Sequence, residues 1–117
     1  MKLKQVYNSS GFLKLLSEKE LPTVLAFKIS KVIKSCQNEL VSFEEVRAKK
    51  FEQWGEVVDG VDGTRIKEKF IPQFNKEINE LLEQEVNVII PEVSITEFSD
   101  VKLSSDLLVN LDWLIKE

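Results

Sequence analysis

Two groups of acidic residues are the first places to look for chemistry in this chain. Asp59-Gly60-Val61-Asp62-Gly63-Thr64 superficially resembles a calcium-binding loop. Calcium loops present oxygen ligands at positions 1, 3 and 5 and a bidentate Glu at 12. Here the acids are three apart, and the twelfth position counted from Asp59 is Phe70, so the plain reading is a turn. The second group is Glu77, Glu80, Glu83 and Glu85. Carboxylates do acid–base work or hold Mg²⁺ only where they converge in a cleft. Helical spacing instead puts Glu77, Glu80 and Glu83 on one solvated face.

The rest of the inventory narrows the chemistry further. The chain contains no His, which removes the commonest general base, the usual Ser/His and Cys/His pairs and the commonest metal ligand. One cysteine, Cys36, allows neither an internal disulfide nor a multi-Cys zinc site. Gly60 and Gly63 have no Lys-Ser/Thr after them, so there is no phosphate cradle. No catalytic residue, no metal site and no cofactor are expected.

Surface recognition remains. Lys28, Lys31 and Lys34 form a stripe on one helix, with Ser35 nearby, suited to a phosphate or an acidic protein or simply to water. Phe51 and Trp54 end that helix beside the Asp-Gly segment, and tryptophan is favoured at binding hot spots. The candidate partner-binding residues are therefore Lys28, Lys31, Lys34, Phe51, Trp54, Asp59 and Asp62. Trp113 is read as a core residue, and Cys36 as a buried side chain on an apolar seam.

These residues need elements to position them, and 117 residues suffice for one domain, 1–117. With 43% hydrophobic and 31% charged residues, the composition is that of an ordinary globular protein. No apolar run approaches the roughly 20 residues of a membrane span, and the N-terminus lacks a signal peptide's apolar stretch. A net charge of −4 disfavours nucleic acid as a partner. Positions 1–58 hold 10 basic and 7 acidic residues; positions 59–117 hold 6 and 13.

Leu3–Tyr7 alternates weakly and reads as a short strand, followed by a turn at Asn8-Ser9-Ser10-Gly11 and a short helix carrying Phe12, Leu13, Leu15 and Leu16. Pro22 reads as a helix initiator. From there to Trp54 no Gly or Pro intervenes, and Leu25, Ile29, Val32, Cys36, Leu40, Phe43 and Phe51 keep three-and-four spacing, weakest around Arg47. A helix of ~30 residues is ~45 Å long, more than a compact domain of this size needs, so one end should project or pair. Gly55 stops it. Val57/Val58 and Arg65/Ile66 are hairpin arms around the Asp-Gly turns. Pro72 opens a helix with Phe74, Ile78, Leu81 and Leu82. Val86–Ile90 reads as a buried strand, Val93–Phe98 as a second extended piece. Ser104 caps a last helix with Leu107, Leu108, Leu111, Leu114 and Ile115 inward, and Leu103 and Leu108 are placed as a hydrophobic staple. The fold class is α+β: one long central helix, two or three shorter helices and a small antiparallel sheet.

The order of these features resembles that of a loose group of small bacteriophage proteins of unknown function. The resemblance rests on MKLKQVYNSSGFLKLL (1–16), ELPTVLAFKISKVIKSCQNELVSFEEVRAKKFEQWGE (20–56), FNKEINELLEQEVNVIIPEVSITEFSD (74–100) and LSSDLLVNLDWLI (103–115). Shared features are a lysine-rich long helix with a Glu-x-x-Arg segment (Glu44 to Arg47), an aromatic-Gly-Glu stop (Trp54-Gly55-Glu56) and a late β-branched run. The resemblance implies a phage or prophage origin. The expected role is a non-enzymatic accessory protein that binds a host or phage protein, for example inhibiting a host defence factor or helping assembly. The alternative is a minor structural component of the particle. The expected location is the host cytoplasm or the virion, with self-association but no membrane.

Overall fold

Leu3, Val6, Ser9, Leu13 and Leu16 recur every three or four residues, and they are the buried face of one helix, α1 (Leu3–Ser17). The expected strand and turn at this end are therefore corrected. Three-residue steps link Leu3, Val6 and Ser9, and Ser10 and Ser17 turn their hydroxyls back onto the carbonyls of Tyr7 and Lys14, so serine does not break the helix. The computed structural model describes residues 1–57 and 64–116.

Gly11 lies inside α1, exposed, and a Cβ built there meets nothing within 4 Å. Glycine in a helix interior costs backbone entropy that alanine does not. Gly11→Ala is therefore expected to raise the unfolding free energy by about 0.5–1 kcal/mol, read as a higher urea midpoint with an unchanged slope.

Pro22 precedes α2 (Thr23–Trp54), whose 32 residues run without interruption, as the apolar spacing predicts. At 1.5 Å per residue the rod is ~48 Å long, and the molecule's longest extent is 52 Å. The radius of gyration is 17.7 Å, against about 13 Å for a compact chain of this length. The excess is the projecting half of α2. Its fully buried positions, Leu25, Ile29, Val32, Cys36 and Phe43, stop at Phe43.

Gly55 ends α2 by a different route from the one expected. Its φ of −87° and ψ of 161° are ordinary extended backbone, not a left-handed cap. The chain enters β1 (Gly55–Val57), which pairs antiparallel with β2 (Thr64–Ile66), Glu56 opposite Arg65. The returning strand lets the Lys67 amide donate to the Trp54 carbonyl at 2.8 Å, satisfying one of the acceptors a helix end leaves open. A short 3₁₀ turn (Glu68–Phe70) then leads into α3 (Ile71–Leu82), with proline in its first turn as expected.

Residues 86–90 are not the buried strand their β-branched composition suggests. Ile89 is 68% and Ile90 44% exposed. The segment is held along α2 by side chains: the Ile89 amide donates to Ser35 Oγ and Lys28 Nζ donates to the Glu92 carbonyl, each at 2.9 Å. The Ile89 amide is thus satisfied without a neighbouring strand, while Val86 and Val88 pack partly against the core. The extended piece expected at Val93–Phe98 is only β3 (Val93–Ser94), continued by a 3₁₀ turn (Ile95–Phe98). β3 pairs in parallel with β4 (Ile115–Lys116), a second small sheet beside the expected antiparallel one of β1 and β2. The long crossover that a parallel pair requires is supplied by the chain between them, which includes α4 (Ser105–Asn110). Ser104 caps α4 as expected, accepting from the Leu107 amide. Leu107, Leu111, Leu114 and Ile115 are buried, whereas Leu108 stays 38% exposed.

The core thus gathers α1, the first half of α2, β3, α4 and β4, and Cys36 lies within it. Burial, and secondarily Glu39, pushes the Cys36 thiol up to about 11, leaving it a small apolar side chain at neutral pH. Ser9, 3% exposed, is the one buried polar side chain among the described residues. Its hydroxyl donates to the Asn110 carbonyl at 3.3 Å and accepts from Trp113 Nε1 at 3.0 Å. That pair joins the two ends of the chain.

Candidate functional site

Beyond Phe43, α2 is flanked by α3 and the hairpin, and no residue there is fully buried among the described residues. Aromatic contacts hold this end together. Trp54 stacks on Phe70 (5.8 Å between ring centres, 22° between planes) and meets Phe74 edge-on at 6.5 Å. Phe51 meets Phe74 at 6.3 Å, and Lys50 Nζ lies 5.2 Å from the Trp54 ring. Such ring pairs contribute beyond the area they bury.

The opposite side of the same helix is open. Glu44, Arg47, Ala48, Phe51, Glu52, Gly55 and Glu56 line a groove of about 580 Å³. A second, of about 590 Å³, shares Glu44 and Ala48 and adds Gln37, Leu40, Val41 and Glu45. A third, of about 470 Å³, shares Gln37 and Leu40 and passes between α1 and α2 beside Ser10, Gly11 and Ser17. Through these shared residues they run on as one shallow, open furrow along the face of α2, from α1 to the hairpin. Along it Gln37, Val41, Glu44, Ala48, Phe51 and Gly55 follow a 4-3-4-3-4 spacing on one face of the chain, with Val41, Ala48 and Phe51 as its apolar members. Val41 is 56% exposed, and Ala48, near the midpoint, lets a partner's backbone come close.

The residues singled out from sequence do not gather into one site. Phe51 lines the furrow; Trp54 lies behind it, in the aromatic cluster. Lys28 is tied to Glu97 at 2.9 Å as well as to the Glu92 carbonyl. Lys31 lies 4.7 Å over the exposed Phe27 ring, and Lys34 is exposed. The lysine stripe is therefore split between a structural contact and solvent. Asp59 and Asp62 lie outside the described residues. The furrow's floor was missed by sequence reasoning because it coincides with the stretch around Arg47 where the inward periodicity weakens. The heptad spacing of its outward face was the available signal.

The acidic residues on α3 and just after it part company. Glu83 pairs with Lys2 and Glu85 with the Met1 amino group. Glu77 turns towards Lys50, 3.8 Å away, and is half-buried, which corrects its placement on a solvated face. Its Oε2 is enclosed without a hydrogen-bond partner. No group of three or more acidic or cysteine residues is placed to hold a metal among the described residues, and no helix among them is long and apolar enough to cross a membrane.

One carboxylate carries a readable pH dependence. The Lys28 hydrogen bond, then the Ser94 amide, hold the Glu97 carboxyl below its ordinary value. A carboxylate depressed in the folded state stabilises the fold above the unfolded value of about 4.3, and that contribution is lost as pH falls through the folded value. Glu97→Gln is expected to be less stable at pH 7 and to lose stability less steeply below about pH 4.3, measured by urea unfolding across pH. Comparison with known protein families, with curated proteins and with solved structures gives no match.

Proposed function

We propose that this chain is a non-enzymatic bacteriophage accessory protein that acts in the host cytoplasm by binding another protein along the α2 furrow. The observation that carries this reading is the open seam on the projecting half of α2, with Val41 exposed and Ala48 leaving room at its centre. Exposed apolar surface rimmed by polar residues marks interaction sites, and an amphipathic helix is one of the elements that such surfaces receive. Inhibition of a host defence factor and assistance to an assembly step both fit such a surface.

The test is affinity capture from infected bacteria using the parent chain and Ala48→Arg, which fills the furrow without touching the core. A partner retained by the parent and lost by the variant supports the reading. Nothing above background, or a partner indifferent to Ala48→Arg, counts against it. The 52 Å length of the molecule favours one second reading, a minor component of the particle packed through the same helix. Abundant signal in mass spectra of purified particles would select that alternative.

A further inference from the structure

Resting on that reading, we infer that the furrow's occupant is a helix of a different protein whose apolar stripe is flanked by Lys or Arg. The charge of the furrow carries the inference. Its distal half is walled by Glu44, Glu45, Glu52 and Glu56 against Arg47 alone among the lining residues. Arg47 is already engaged by Glu44 at 3.0 Å. Arg65 reaches Glu56 at 3.4 Å. Glu45 and Glu52 have no ion-pair partner among the described residues. Basic side chains flanking an apolar stripe would meet these carboxylates at the edges of the seam, where charges set partner choice.

The same geometry speaks against a second copy. An antiparallel copy that seats Val41 against Phe51 brings Glu45 beside its own counterpart and Arg47 beside its own. A parallel copy puts Glu44 against Glu44 inside the seam. Like charges directly opposed disfavour a pairing, so either arrangement of two identical furrows works against itself, whereas a basic partner meets four lining carboxylates and one arginine.

The experiment uses three synthetic 21-residue peptides with the full chain, followed by anisotropy of a dye on the peptide. One has Leu at the a and d positions of three heptads and Lys at e and g. The second has Glu at e and g, and the third is a scramble of the first. The lysine-flanked peptide is expected to bind at least tenfold more tightly than either control, and to weaken as salt is raised through 0.15 M and beyond, as charge screening requires. Ala48→Phe should weaken it at least tenfold. Glu45→Lys combined with Glu52→Lys should turn the preference towards the glutamate-flanked peptide, with circular dichroism showing both variants folded.

Equal binding of the scramble, or no preference between lysine and glutamate flanks, overturns the inference. So does sedimentation showing a dimer that Ala48→Phe dissociates, because a second copy then fills the furrow. A captured partner lost with Ala48→Arg but cross-linked to the furrow through an acidic or extended segment also overturns it, while leaving the protein-binding reading intact.

Discussion

Replacing Leu111 with alanine is expected to lower the unfolding free energy by about 2–5 kcal/mol, a large part of the 5–15 kcal/mol typical of a domain. Leu111 is fully buried in the cluster that joins α1, the first half of α2 and the C-terminal segment. Its amide donates to Leu107, and its carbonyl accepts from Leu114 and Ile115, so backbone and side chain are fixed together. A large-to-small substitution at so enclosed a site loses the transfer free energy of the deleted atoms and leaves a cavity besides. Urea unfolding should show a lower midpoint with an unchanged slope. A loss below about 1 kcal/mol would mean that the C-terminal segment is an appendage rather than part of the core.

Trp54→Ala is the second large effect, and it differs in kind. The tryptophan organises an end of the molecule that has no fully buried residue among those described and depends on contacts among Phe51, Trp54, Phe70 and Phe74. Removing it forfeits the Phe70 stack, the Phe74 edge and the Lys50 contact together. The expected cost is roughly 2–4 kcal/mol, below that of a fully enclosed aromatic. The loss should appear as opening of residues 44–57 and 64–82 at a free energy clearly below that of the core. Amide exchange read residue by residue separates this from a uniform loss.

The long helix was legible in the sequence because its inward face keeps three-and-four spacing from Leu25 to Phe43 and no Gly or Pro interrupts its 32 residues. Pro22, Pro72 and Ser104 were legible for a local reason: each acts through its own backbone or its own oxygen within one turn. The first helix was hidden by length. Five residues from Leu3 fit a period of two loosely, and only continuation to Leu13 and Leu16 shows a period near 3.6. The run at 86–90 misled because β-branched residues report an extended backbone, whereas pairing depends on distant neighbours, here Ser35 and Lys28. The parallel β3–β4 pair is likewise non-local, set by a crossover that no short window contains.

The candidate site was half legible. Phe51 and Trp54 were found by residue type, but only the fold puts Phe51 on an open groove and Trp54 behind it. Lys28 shows the opposite lesson: a charge that reads as recognition is spent on an internal contact with Glu97, so its environment, not its spacing, decides its role.

Amide hydrogen exchange along α2 tests the division between core and arm most directly. Protection is expected to be continuous from the fourth helical amide to Trp54, at the free energy of global unfolding through Phe43 and at a clearly lower one from Glu44 onward. A gap within that stretch, or one uniform free energy over all of it, would contradict a single rod whose outer half stands apart from the core to receive a partner.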